Sequence, residues 1–299
     1  VHLHVVGLRR DLAFDARVEV FSRSSQSIVA VSDTDSRGQF AVPVPLDPNL
    51  TVRVVSRLRA YDLRVADNTN QNQLYVIARD VDGRAARADV LLVDTSRISG
   101  AFNILEVIQR GNDLMKLADP NLLPPPVSIF WSTRNWKGDG IINIGQGMIG
   151  TTYFNVTNST AYVVGDRNDH GTESDSDEFD DSVIAHEYAH LLAARFSRDD
   201  SPGGKHVMGD MLDPRVAWSE GWANFFAAAV RNDAIWRDSR GANGNNILRF
   251  DREENIPGAN PGYWSEASVD SILWDLFDDH ADAADDVQYS FAQIWAAFI

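Results

Sequence analysis

The sequence predicts an α+β protein: an all-β sandwich followed by a mostly helical part with a small mixed sheet. Three observations carry this. Up to about residue 90, short β-branched runs alternate with turn clusters. From Ser99 onward, apolar residues recur at helical spacing. The chain has no cysteine, so disulfides and thiolate metal sites are excluded and burial alone must hold the fold. The length of 299 residues suggests two domains, 1–90 and 91–299.

Composition narrows the function. A net charge of −16 argues against a nucleic-acid partner, because neutralising phosphates needs clustered Lys and Arg. No apolar run reaches the roughly 18 residues of a membrane span. The chain starts at Val1 without Met and ends at Phe298-Ile299 inside an apolar helical pattern. Both ends are therefore expected to be cuts from a longer protein, and a secreted or extracytoplasmic location is expected.

In the first part, Val18–Phe21, Ser27–Val31, Gln39–Val44, Leu50–Val55 and Leu74–Ala78 read as strands, with a turn at Asp33–Gly38. A strand, an acidic turn with Gly and then a Phe-containing strand resemble the transthyretin-like or carboxypeptidase-regulatory-like β-sandwich modules. The resemblance implies substrate positioning, a spacer or a folding partner for the second domain. His2 and His4 read as ordinary strand residues rather than a metal pair.

The period then changes. Phe102, Ile104, Leu105, Val107, Ile108, Leu114 and Leu117 predict a helix over Ser99–Ala118, weakened or split at Gly111 and ended by Pro120. Val127–Trp131 reads as a strand. Ala161–Gly165 is a second, placed by its position before the next helix as the edge strand of a substrate cleft. Asp166–Asp181 carries eight carboxylates. It reads as a solvated loop whose last acids favour a helix start. The other reading is a calcium (Ca2+) loop on Asp166, Asn168, His170, Gly171 and Asp177.

The helix after that loop contains His186-Glu187-Tyr188-Ala189-His190. Residues four apart share a helix face, so both imidazoles can reach one metal ion and Glu187 a water bound to it. Zinc brings the pKa of such a water towards neutrality, and a carboxylate can then take its proton. Val183, Ile184, Ala185, Tyr188, Ala189, Leu191 and Leu192 make the helix apolar on most faces. Polar groups in a buried helix need partners, which a metal supplies. A second apolar helix, Ala217–Val230, contains one lone acid, Glu220. As a third ligand it leaves the fourth position open, as in a catalytic site.

A metzincin would place Gly and His where this chain has Ala193 and Phe196. The pattern His186-Glu187-x-x-His190 with Glu220-Gly-Trp-Ala-Asn224 instead resembles the gluzincins, the thermolysin-like and M1-type zinc peptidases on a zincin-like domain. The resemblance implies Zn2+ on His186, His190 and Glu220, with Glu187 as general base and acid. It also implies that Asn224, where these peptidases usually have Asp, orients a ligand His. The M1 exopeptidase motif is missing, which favours an endopeptidase.

His206 is an alternative ligand by residue type, but as a loop His beside glycines it reads as a loop-packing or substrate-side residue. Val269, Ile272, Leu273, Leu276 and Phe277 predict a helix over Glu266–Asp279, and Phe291–Phe298 another. The same resemblance implies an oxyanion-stabilising Tyr or His in this region, with Tyr263, His280 and then Tyr289 as candidates. The sequence thus points to a zinc-dependent endopeptidase acting on a peptide or protein substrate. Its rival is an inactive binding or adhesion module on the same scaffold.

Overall fold

The computed structural model describes residues 2–3, 15–35, 38–58, 61–84, 97–254, 260–279 and 287–299. Among them the fold is mixed α and β, with five α-helices. The N-terminal strands are β1 (His2–Leu3), β2 (Ala16–Ser22), β3 (Ser27–Asp33), β4 (Val42–Pro43), β5 (Leu50–Leu58), β6 (Leu63–Asp67), β7 (Gln73–Leu74) and β8 (Val76–Val81). Strand β2 alternates buried and half-buried positions along its whole length, the signature of a strand with one core face. Strand β4 is shorter than the expected Gln39–Val44, because Pro43 and Pro45 bring no N–H to a ladder.

Helix α1 (Ser99–Ala118) comes next, then β9 (Val127–Trp131), β10 (Tyr153–Asn155), β11 (Thr160–Val163), β12 (Gly165–Asp166) and β13 (Asp175–Ser176). After these come α2 (Asp181–Phe196), α3 (Pro214–Arg231), β14 (Ile235–Arg240), β15 (Asn246–Asp251), α4 (Glu266–Asp275) and α5 (Phe291–Phe298). Helix α4 stops at Asp275, short of the expected Asp279. Asp278 and Asp279 place negative charge at the end of a helix that already carries the negative pole of the dipole.

Nine strands form one sheet in the order β10-β11-β9-β6-β5-β2-β3, with β7 on β6 and β8 on β5. Strand β6 pairs parallel with β9, Val65 opposite Ile129, so strands before and after α1 share one hydrogen-bonded ladder. Strand β11 is interior, between β9 and β10. The edge of the sheet is therefore β10, eight residues earlier than the expected Ala161–Gly165. A second, antiparallel sheet runs β12-β13-β14-β15.

Helix α1 lies between the large sheet and α2. Gly111 does not split it. It is a contact point, because a Cβ there would stand 3.2 Å from the ring of Tyr188 and 3.5 Å from that of Phe226. One core cluster runs from Val18 and Val20 on β2 through Ile104 and Ile108 to Tyr188, Trp222 and Trp295. Helix α2 is thus packed on the side away from its histidines, which remain half-buried along an open cleft.

Candidate metal centre

Helix α2 is fixed at its start by several partners. Asp181 accepts from Arg110 at 2.9 Å and from Asn103 at 2.9 Å. Asp180 accepts from the amide of Ser239 at 2.9 Å and its hydroxyl at 2.8 Å, which ties the entry of α2 to β14. One turn further on, His186 and His190 project on the same side.

Their Nε2 atoms are 3.2 Å apart. Oε2 of Glu220, brought in by α3, is 3.2 Å from His186 Nε2 and 3.4 Å from His190 Nε2. Ligands of a tetrahedral zinc, bound at about 2.0–2.1 Å, stand roughly 3.3–3.4 Å from one another. The donor triangle has that size and that chemistry, two imidazoles and one carboxylate. The residues present therefore fit a zinc ion. Burial acts to raise the Glu220 pKa, but the two imidazoles outweigh it and hold the carboxyl far below its usual range. Burial acts to lower the His190 pKa, but the Glu220 carboxylate outweighs it and pushes the imidazole up to about 9. The carboxylate and imidazoles thus already attract positive charge to the point where a cation would be held.

Each ligand candidate has an outer partner. His186 Nδ1 is 2.9 Å from Asn224 Oδ1, the contact expected of Asn224. The Asn224 carbonyl accepts from Arg252 at 2.8 Å, and Arg252 is paired at 2.7 Å with Asp270, both side chains fully buried. The ring of Trp236 stands edge-on to His186 at 5.6 Å. His190 Nδ1 faces the Ser219 hydroxyl at 3.5 Å.

Glu187 points into the same cleft, of about 1240 Å³, which also takes in Tyr153, Trp236 and Phe250. The amide of Phe154, on edge strand β10, donates to Glu187 Oε2 at 3.0 Å. Burial raises the Glu187 pKa, against the pull of both histidines. A carboxylate so placed is a stronger base than one in water.

His206 is no loop-packing residue. Its Nδ1 is 3.0 Å from Glu266 Oε2, and its Nε2 is 3.3 Å from Glu220 Oε1. The hydrogen bond it donates to the Glu266 carboxylate raises the His206 pKa, against its burial. No sequence motif marks Glu266. The available signal was an acid at the first position of a buried helix, directly after a capping Ser265. Of the oxyanion candidates, Tyr263 is 70% exposed, stands edge-on to Trp264 and does not line the cleft. Tyr289 lines a separate apolar groove beside Trp218 and Trp222. His280 lies outside the described residues, as does His4.

The residues of the alternative calcium-loop reading divide between two places. Asp166 turns to His170 at 2.8 Å, and His170 lies flat on Trp136 at 3.7 Å between ring centres. Asp177 instead joins Asp175 and Asp238. Asp238 sits on β14, where alternation puts it on the same buried face as Trp236.

No helix among the described residues is long and apolar enough to cross a membrane. No curated protein matches the chain. The family described as the mycolysin C-terminal domain matches residues 145–294, half of the 299 residues, and this stretch contains His186, Glu187, His190, Glu220 and Asn224. The chain belongs to the mycolysin C-terminal domain family and is thereby related to the zinc metallopeptidases.

Proposed function

We propose that the chain is a zinc-dependent endopeptidase of gluzincin type, with zinc on His186, His190 and Glu220 and with Glu187 as general base and acid. One observation carries the reading: two imidazole nitrogens and a carboxylate oxygen spaced 3.2–3.4 Å apart beside a buried carboxylate, in an open cleft. Zinc bound there supplies a Lewis acid and makes a water acidic enough to lose its proton near neutral pH. The rest falls to the chain's own residues.

Glu187 takes the proton and later delivers it to the departing amine. The Phe154 amide holds one of its oxygens, which leaves the other for the water. Edge strand β10 offers unpaired backbone groups to an extended peptide beside Glu187. His206 lies beside Glu220, held by Glu266, where its Nε2 can donate to the oxygen that gains charge as the carbonyl is attacked. Residues 1–90 and 91–299 are the two units of this reading, the first supporting the second through the strands it adds to the shared sheet. An extracytoplasmic location agrees with a peptidase that must not meet the proteins of its own cytoplasm.

The test is proteolysis of an unstructured protein substrate, with metal analysis in parallel. The wild-type chain is expected to cleave internal bonds, to stop with a chelator and to resume with zinc. Glu187→Gln should keep one zinc per chain and lose about 10²–10⁴-fold in rate. A Glu187→Gln variant with full activity, or a wild-type chain without zinc, would sink the proposal.

A further inference from the structure

The antiparallel sheet that carries Trp236 ends in a strand with a free outer side. Among the described residues β15 pairs with β14 alone, in a register unbroken from Asn246 opposite Arg240 to Asp251 opposite Ile235. Its one cation is Arg249, and it has neither a proline nor a bulge to blunt the edge. The other strands at sheet ends are less open to a partner. Strand β10 has three residues and β12, β1 and β4 two each, and the pairing of β3 with β2 shifts register at Val20–Phe21. Ile247 and Leu248, apolar neighbours on opposite faces of β15, are 60% and 46% exposed. Leu248, Arg249, Phe250 and Asp251 line the same cleft as His186 and Glu187. A strand that is free, apolar and exposed is a template for another chain.

We propose that the free edge of β15 is a second strand-pairing site for substrate, which takes the stretch after the scissile bond while β10 takes the stretch before it. The inference rests on the peptidase reading and names its substrate class: extended chains that continue about three residues or more past the cleaved bond. Distance sets that number. Two ring contacts of 5.6 Å each lead from His186 through Trp236 to Phe250 on β15. An extended peptide rises about 3.3 Å per residue and covers that span in about three residues.

Strand polarity sets the direction. Thr152, directly before β10, donates to the Asp177 carboxylate, and an oxygen of that carboxylate lies within 4.8 Å of one on Asp238 of β14. The β14–β15 hairpin therefore stands at the beginning of β10. A peptide that pairs antiparallel with β10, the more frequent arrangement, has its carboxyl-terminal side there. Pairing of this kind draws its affinity from the backbone. The site thus accepts many sequences, provided that the chain is extended and free of proline where it meets β15.

The test uses the full chain carrying Glu187→Gln and loaded with zinc, titrated by calorimetry. The core peptide spans two residues on each side of the first bond that the wild-type chain cleaves in an unstructured protein. A second peptide adds Val-Thr-Val-Thr at the carboxyl end, and is expected to bind about tenfold tighter, the yield of two or three backbone hydrogen bonds. Two further peptides carry N-methyl groups on the added Val amides or on the added Thr amides. One should lose the gain and the other keep it, because alternate N–H groups of a strand point to opposite edges. A diazirine in the third added residue should label β15. No gain, equal loss from both methylated peptides or loss from neither, or a label confined to other parts of the chain would overturn the inference. An absent gain together with a dimer in sedimentation would give the edge to a second copy of the chain instead. Cleavage and zinc content read the peptidase proposal, so a chain that cleaves with zinc bound but shows no gain refutes the role of β15 alone.

Discussion

Glu187 and His206 face the candidate metal from different partners, and each is oriented by a group outside the ligand set. For Glu187 it is the Phe154 amide, and for His206 it is the Glu266 carboxylate. Removing the His206 imidazole should therefore lower kcat rather than metal content. His206→Ala is expected to lose about 10²–10³-fold in kcat, the range for a lost oxyanion donor, with KM little changed. If zinc content drops instead, His206 is a ligand and not a donor to substrate. Asn224 acts one step further out. It accepts from His186 without bringing charge, and Arg252 holds its backbone. Asn224→Ala should weaken zinc by about 10–100-fold in a competition titration with a chromogenic chelator, with the melting curve of the zinc-loaded protein nearly unchanged.

At the scale of elements, the site depends on how closely α3 meets α4. Gly221 follows the ligand candidate Glu220, and a Cβ on it would stand 2.5 Å from Val269 Cβ and 2.8 Å from the Glu266 carbonyl. Nothing larger than glycine fits unless α4 moves, and α4 carries Glu266. Gly221→Ala should cost roughly 1–3 kcal/mol, read from denaturant unfolding. It should also reduce kcat by displacing the Glu266–His206 pair. A stable variant with unaltered kcat would mean that α4 need not be so close. The hairpin of β14 and β15 serves the site in a similar way. It brings Trp236 against His186 and Asp238 against Asp177, with Phe250 stacked on Trp236 at 5.6 Å.

For the whole molecule, the ladder between β6 and β9 decides what can be separated. Residues 97–299 expressed alone would expose the edge of β9 that β6 covers, and would uncover Ile104 and Ile108 of α1 from the core they share with β2. That fragment is expected to be aggregated or poorly folded. A monomeric, cooperatively melting, zinc-binding fragment would show instead that the second unit stands by itself.

Much of this was legible in the sequence. Helix α1 and strand β9 lie where periodicity and the prolines put them, and Asn224 meets His186 as the gluzincin resemblance implied. Such features rest on local rules. Helical period, strand alternation and breakers act over a few residues, so His186 and His190 share a face of α2, with Glu187 one step round, wherever that helix packs. What lay outside those rules had to await the packing. The edge strand is β10 and not β11, because strand order is set by pairing between distant segments. His206 and Glu266, sixty residues apart, meet only because Gly221 lets α4 close on α3. Asp175, Asp177 and Asp238 come together across a sheet whose second half carried no motif. The sequence by itself determined which side chains a single helix presents on one face. Only the tertiary structure decided which carboxylates and imidazoles from other elements meet them, since that is settled by burial over the whole chain rather than by spacing along it.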